Sequence, residues 1–199
     1  MDAKKTAVLL IEFQNEWLSP QGSLHHIVKE QLKQKDLVNR TVSLLQQARE
    51  KGVTIIHVPL RFTSDYREVA ADATALAAII KEQKRFQHGT PGAEIHPAFA
   101  PESSDLVAEG RKGISGFTGS NLDALLRARG IRYVAVAGFA TEVCVESTIR
   151  DAYDRGYHCT LLSDCTAAHS DQDQQYVENT IMPFFGNVST AQAFIDNLN

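Results

Sequence analysis

Cys144 occupies a position where a thiol can act as a nucleophile. It lies in the segment Gly138–Val145, directly after the apolar run Tyr133–Ala137 and inside the first turn of the helix predicted to follow. The first turn of a helix presents unpaired N–H groups and a partial positive charge, which stabilise a thiolate, lower the pKa of the thiol and can bind an oxyanion. Free cysteine is also a common core residue, so a purely structural role for Cys144 stays open.

Glu12, Arg111 and Lys112 are charged residues that follow predicted strands. Glu12 comes directly after the apolar run Ala7–Ile11, and the basic pair comes after a weaker predicted strand, Asp105–Glu109. In an open parallel sheet, ligands bind at the carboxyl ends of the strands, near the point where the strand order reverses. Each of these residues is therefore either part of a site or a solvated loop residue, and the solvated loop is the commoner role for a basic pair.

The other two cysteines are interpreted as structural. Three cysteines cannot all pair within one chain, and free thiols are expected in a reducing compartment. Cys159 lies within a predicted strand and is interpreted as a core residue. Cys165 follows Ser163 and Asp164 in a predicted loop, where we interpret it as structural or incidental.

Short apolar runs alternate with longer amphipathic segments along the chain. This alternation predicts a parallel sheet covered by helices on both faces. The predicted strands are Ala7–Ile11, Val53–Val58, Asp105–Glu109, Tyr133–Ala137, His158–Leu162 and Asn187–Val188. The predicted helices are Asp36–Lys51, Ala70–Glu82, a helix capped by Ser120 or Asn121 that runs to Arg129, Thr141–Arg155, Asp171–Phe185 and Thr190–Leu198. The segment His88–Pro101 is predicted to be mostly loop.

Length, composition and charge indicate a globular single-domain protein and argue against several other classes. The chain has 199 residues, 43% hydrophobic and 22% charged, which are ordinary values for a globular protein. Since about 200 residues can share one core, we predict a single domain over residues 1–199. The net charge of −4 argues against binding to nucleic acid or to a membrane surface. No apolar run reaches the roughly 18 residues that cross a bilayer, and none at the N-terminus suits a signal peptide, so the expected location is the cytoplasm.

Five segments resemble motifs of the isochorismatase-like cysteine hydrolases, a family of nicotinamidases, N-carbamoylsarcosine amidohydrolases, ureidoacrylate hydrolases and true isochorismatases. They occur in the order found in the family, and together they are specific although each alone would be weak. The segments are an opening strand with its acidic signature at 7–17, a central loop at 89–95, a lysine segment at 112–122, a nucleophile segment at 138–145 and a turn at 164–168.

The resemblance implies a fold and a set of site residues. The implied α/β fold is a three-layer α/β/α sandwich, Rossmann-like, around a six-stranded parallel sheet of order 3-2-1-4-5-6. The acid, lysine and cysteine of the family's catalytic triad fall on Glu12, Lys112 and Cys144. A cis peptide bond falls between Phe139 and Ala140, where it would aim the N–H of Ala140, together with that of Cys144, at the substrate oxygen as an oxyanion hole.

The implied activity is hydrolysis of the C–N bond of a small amide, carbamoyl compound or ureide. Cys144 would attack the carbonyl and form a thioester, Glu12 would move the protons, and Lys112 would hold both groups. The usual acid of the family is Asp, and the extra methylene of Glu12 moves the carboxylate by roughly 1 Å, which can cost about 10²-fold in rate. Two alternatives therefore stay open: isochorismatase-type hydrolysis of a vinyl ether, which does not need the thiol, and a non-catalytic relative with a decayed site.

No metal or other cofactor is expected. Nicotinamidases of the family bind a metal through an Asp-x-His pair after the second strand, and the matching stretch 57–65 has no such pair. His25, His26, His88 and His96 have no ligand-like spacing among themselves. The presence of Cys144 favours C–N hydrolysis over cleavage of an ether.

Trp17, Arg61, Phe62 and Phe117 are candidates for contact with a small-molecule substrate. Arg61 could meet a substrate carboxylate through paired hydrogen bonds, or it could be a solvated loop residue. Trp17 and Phe117 could line a pocket or belong to the core. The resemblance also implies a homo-oligomer, either a dimer or a tetramer. Specificity is expected to lie in the loops at residues 13–30, 59–100 and 165–175.

Overall fold

Six parallel strands form one sheet in the computed structural model, which describes all 199 residues. The strands are β1 (Thr6–Ile11), β2 (Thr54–Val58), β3 (Leu106–Val107), β4 (Tyr133–Phe139), β5 (His158–Ala167) and β6 (Gly186–Ser189). They lie in the order β3-β2-β1-β4-β5-β6, which confirms the predicted strand order. The order reverses at β1, which pairs with β2 on one side and with β4 on the other.

Helices cover both faces of the sheet and complete the predicted sandwich. They are α1 (Asn15–Leu18), α2 (His25–Gln34), α3 (Leu37–Glu50), α4 (Ala75–Glu82), α5 (Leu122–Ala128), α6 (Glu146–Asp154), α7 (Asp171–Tyr176), α8 (Met182–Phe185) and α9 (Ala191–Asp196). π-Helical turns lead into α6 at Thr141–Val145 and join α7 to α8 at Val177–Ile181. Helices α2, α3 and α9 pack on one face, and α5, α6 and α8 pack on the other. None of the helices is long and apolar enough to cross a membrane.

Residues 7–11 of the central strand β1 are continuously apolar because helices cover both faces of the strand. All six of its residues are buried. Val8 and Leu10 point into the cluster beneath α2, α3 and α9, whereas Leu9 and Ile11 point into the cluster beneath α5 and α6. Successive side chains of a strand point to opposite faces, so a strand covered on both faces needs an apolar residue at every position.

The carboxyl ends of β1 and β4 approach each other closely. Ile11 pairs with Gly138 in the register of the two strands. Gly138 has a φ of 135°, and a Cβ there would lie 2.1 Å from the carbonyl oxygen of Ile11. Only glycine fits this position, which brings the segment after β1 and the segment after β4 together at the reversal of strand order.

The strand predicted at Asp105–Glu109 is shorter, Leu106–Val107, and two other predicted elements have bounds that are wrong by five residues. The helix predicted from Ala70 begins instead at Ala75, because good helix formers are a weak signal in a segment where only Ile80 becomes buried. The strand predicted to end at Leu162 runs on to Ala167, so Cys165 lies in β5 and is fully buried, not in a loop. The second half of β5 pairs with the end of β4 after a shift in register, which a local apolar pattern does not reveal.

Candidate active site

Glu12 is fixed at the end of β1 by contacts to both oxygens of its carboxylate. The residue is 1% exposed and has a left-handed φ of 56°, which ends the strand. Trp17 donates from Nε1 to Oε2 at 2.9 Å. Arg111 donates from Nη2 to Oε1 at 2.6 Å. The carboxylate is therefore buried, ion-paired and held in one orientation.

Arg111 is the cation that contacts Glu12. Its side chain is fully buried, and it also donates to three backbone carbonyl groups. These bonds run from Nη1 to Val58 at 3.1 Å, from Nε to Gly113 at 3.1 Å and from Nη2 to Ile114 at 2.6 Å. Since the guanidinium is a rigid plane, the four bonds fix it between the end of β2 and the loop after β3.

Lys112 does not contact Glu12, which corrects the arrangement implied by the resemblance. Its Nζ lies 2.9 Å from the carboxylate of Glu68 and also donates to the carbonyl of Arg61. The guanidinium of Arg111 already occupies the position beside the Glu12 carboxylate. The structure places Arg111 there, and Lys112 lies on the wall of the neighbouring cavity.

Cys144 lies beside this ion pair, in the π-helical turn Thr141–Val145 after β4, and is 7% exposed. Burial raises the pKa of the Cys144 thiol well above its usual value, the Glu12 carboxylate raises it further, and Arg111 opposes both. This corrects the expectation of a lowered pKa. Desolvation of the thiolate and its repulsion by the carboxylate both favour the protonated thiol. The resting thiol therefore carries its proton at neutral pH.

Alkylation of Cys144 is consequently expected to be slow at neutral pH. Only the thiolate reacts, so a raised pKa predicts a rate with iodoacetamide that climbs about tenfold per pH unit from about pH 7 to about pH 9 without levelling off. The Glu12→Gln variant should react faster at each pH, because it removes the repulsion that raises the pKa. Peptide mapping by mass spectrometry measures the rate at each cysteine. A rate for Cys144 that is already level at neutral pH would contradict this assignment.

The turn that carries Cys144 is tied to the loop after β5. The peptide bond between Phe139 and Ala140 is cis. Ala140 is buried and lines a cavity together with Cys144. The carboxylate of Glu142 accepts from the backbone N–H of His169 at 3.1 Å and also contacts the His169 ring. The segments after β4 and β5 therefore form one wall of the site.

Cys144 lines two adjoining cavities, of about 90 Å³ and about 250 Å³. Leu60, Leu76 and Ile80 line both, so the cavities meet beside the thiol. Most of the wall is apolar. The charged and histidine side chains on the smaller cavity are Glu12, Arg85 and His169, and those on the larger cavity are Glu68 and Lys112.

Two of the four predicted substrate contacts lie on these walls. Trp17 lines the smaller cavity and Phe62 lines the larger one. Arg61 lies outside both, with Nη2 3.3 Å from the carboxylate of Glu94. Phe117 is also outside, because it belongs to the core beneath α5 and α6.

Sequence reasoning missed Arg85 and His169, which both face the smaller cavity. His169 directly follows the motif at 164–168, and that adjacency was the available signal. Arg85 lies in the loop region 59–100 and carries no such signal. The direction of a loop side chain depends on tertiary contacts that no local pattern encodes.

Nowhere in the chain do three or more His, Cys, Asp or Glu side chains come together in a way that could hold a metal ion. His25 directs Nδ1 at the carbonyl of Trp17, 2.9 Å away. His57 is buried within β2, where Nε2 lies 3.3 Å from Asp105. No metal-ligand set is therefore assigned.

The fold is that of a known family. Residues 6–193 match the family model of the isochorismatase domain. This match spans nearly the whole chain and includes every element of the site. The chain belongs to the isochorismatase family.

Within the family, similar proteins include enzymes named for amide hydrolysis. The ureidoacrylate amidohydrolase RutB of Caulobacter vibrioides is 32% identical over 98% of this chain and 91% of that protein. A cysteine hydrolase from Pseudomonas syringae pv. phaseolicola 1448A superposes with a TM-score of 0.84 at 30% identity, covering 98% of this chain and 93% of that one. N-carbamoylsarcosine amidase from Thermoplasma acidophilum superposes with a TM-score of 0.74, covering 94% of this chain and 96% of that one, and its 24% identity supports the fold alone.

Proposed function

We propose that this chain hydrolyses the C–N bond of a small amide, carbamoyl compound or ureide, with Cys144 as the nucleophile. The observation that carries the proposal is a buried cysteine beside the Glu12–Arg111 ion pair, with Cys144 and Glu12 on the wall of one cavity. Family membership supports it, as does the likeness to a protein named as a ureidoacrylate amidohydrolase. The proposed triad is Glu12, Arg111 and Cys144, with arginine in the place where the resemblance implies a lysine.

The first half of the reaction moves one proton and forms a thioester. The sulfur of Cys144 bonds to the carbonyl carbon as Glu12 takes the thiol proton. The negative charge passes to the carbonyl oxygen, which the N–H groups of Ala140 and Cys144 bind. The C–N bond then breaks, and Glu12 returns the proton to the leaving nitrogen. The products at this stage are ammonia or an amine and an acyl group on the sulfur.

The second half regenerates the enzyme. Glu12 takes a proton from a water molecule, whose oxygen attacks the thioester carbon. The C–S bond breaks, and the thiolate takes the proton from Glu12. One water is consumed for each C–N bond cleaved, and Arg111 keeps the carboxylate in place throughout.

The raised pKa of Cys144 fits this sequence of steps. A thiol that keeps its proton at rest needs an acceptor during the attack, and Glu12 is the carboxylate beside it. Glu12 is longer than the family's usual acid, but contacts to Trp17 and Arg111 hold both of its oxygens. These contacts favour a working acid over a decayed site.

Turnover of a compound panel tests the reaction class. The panel contains small primary amides, N-carbamoyl amino acids, ureides and a vinyl ether, with release of ammonia or of the ether fragment as the readout. Hydrolysis of an amide or ureide, with a transient acyl adduct on Cys144 in the quenched protein, is the expected result. Cleavage of only the vinyl ether, or no cleavage of any compound, would overturn the proposal.

A further inference from the structure

Arg85 is a cation in the smaller cavity that has no partner within the protein. Its guanidinium makes no ion pair and no hydrogen bond, and its Nε is shielded from solvent without an acceptor. Burial lowers the pKa of Arg85, and the only acid that acts against this is Glu16, which lies beyond salt-bridge distance. Arg85 is only partly buried, but an unpaired cation that is partly withdrawn from water in a cavity wall suits an anionic ligand.

The other cations around the cavities already have partners. Arg111 is bound to Glu12, and Lys112 is paired with Glu68. Arg61, outside both cavities, is paired with Glu94. Arg85 alone among these four cations faces the site with its hydrogen-bonding capacity unused.

The backbone of Arg85 is anchored even though its side chain is free. The carbonyl of Arg85 accepts from the Tyr66 hydroxyl at 2.8 Å, and its N–H donates to the carbonyl of Ile80 at 3.0 Å. The next residue, Phe86, is buried and its carbonyl accepts from the N–H of Phe62 at 2.8 Å. The guanidinium is therefore presented to the cavity from a fixed point.

We propose that Arg85 binds a carboxylate of the substrate and so makes the enzyme selective for small acids that carry an amide or ureide group. A guanidinium offers paired N–H donors that match the two oxygens of a carboxylate. The cavity that Arg85 shares with Glu12 and Cys144 would hold the carboxylate and the scissile carbonyl of one small molecule. This inference rests on the proposed function, because it names the class of substrate for the same site.

The test compares an acid with its neutral counterpart in two variants. The probes are N-carbamoyl-β-alanine and its methyl ester, which share the carbamoyl group and differ in charge. Arg85→Gln removes the cation, and Lys84→Gln removes the charge of its exposed neighbour, which lines neither cavity. Protection of Cys144 from iodoacetamide at about pH 9 reports binding without any turnover.

Arg85→Gln should weaken protection by the acid about 10- to 100-fold and leave protection by the ester unchanged. Lys84→Gln should change neither. Arg85→Gln should melt no lower than the wild type, because its guanidinium has no partner to lose. Three results would overturn the inference. Arg85→Gln could weaken protection by the acid and by the ester equally, it could leave protection by the acid intact, or the acid could fail to protect Cys144 in the wild type. If neither probe is hydrolysed but protection of Cys144 still depends on Arg85 and on the charge of the probe, the result counts against the proposed reaction and not against the role of Arg85.

Discussion

Replacing Cys144 by alanine is expected to reduce the rate of amide hydrolysis by about 10⁴-fold or more. Without the sulfur no thioester can form, and Glu12 and the oxyanion donors can only assist direct attack by water. The fold should persist, because the side chain is small and the change in free energy of unfolding should stay within about 1 kcal/mol. Ammonia release at matched protein concentration measures the loss, and thermal melting checks the fold.

Cys159 provides the matched control for this substitution. It is also a buried thiol, and burial raises its pKa to about 12. It lies in β5 and lines neither cavity beside Cys144. Cys159→Ala should therefore keep its activity within about threefold of the wild type, at a similar cost in stability. Activity that survives in Cys144→Ala would remove the thiol from the mechanism and favour hydrolysis of an ether.

The sheet could be predicted because its strands are buried on both faces. The runs Ala7–Ile11 and Tyr133–Ala137 are continuously apolar, and each became a central strand. The ends of β3 and β5 were harder to predict. β3 has only two residues, and β5 is twice as long as the predicted strand His158–Leu162. Pairing with a neighbouring strand sets the ends of both. Pairing partners are tertiary information, which a local pattern does not contain.

The positions of two candidate site residues could be predicted because the fold itself sets them. Glu12 and Cys144 follow the two strands that flank the reversal of strand order, and the structure brings their side chains together. Which of Arg111 and Lys112 contacts Glu12 was not available from the sequence, because both are cations at adjacent positions. The buried position beside Glu12 offers three carbonyls and a carboxylate as acceptors. A guanidinium has enough N–H donors to bond to all four.

Arg85 was beyond sequence reasoning for a different reason. It lies between α4 and the central loop, in a region whose course depends on packing against the end of β2. Four non-glycine residues of this region have left-handed φ angles: Tyr66, Ala75, Lys84 and Phe86. A left-handed residue changes the direction of the backbone and of the side chains that follow. Which residues of this loop face the site therefore depends on how the whole loop folds.

Replacing Arg111 and Lys112 in turn by glutamine is expected to separate the triad cation from its neighbour. Arg111→Gln should lower kcat/KM by about 10²- to 10³-fold, because the carboxylate loses the group that positions it. It should also lower the free energy of unfolding by about 3–5 kcal/mol, since Glu12 becomes a buried charge without a partner. Lys112→Gln breaks a partly exposed pair with Glu68, so the expected change in stability is within about 1 kcal/mol and the loss of activity is less than about tenfold. Steady-state kinetics and denaturant unfolding of both variants measure these differences.

A double variant distinguishes a catalytic role of Arg111 from a purely structural one. Adding Glu12→Gln to Arg111→Gln removes the unpaired buried charge, so much of the lost stability should return. Activity should not return, because the proton acceptor is now gone as well as its partner. The Arg111→Lys variant keeps the charge but lacks the planar fork that reaches Glu12 and three carbonyls together, so it should recover only part of the rate. If Lys112→Gln were inactive and Arg111→Gln retained its rate, the lysine would be the catalytic cation after all, and the buried arginine would serve only to hold the ends of β1 and β2 together.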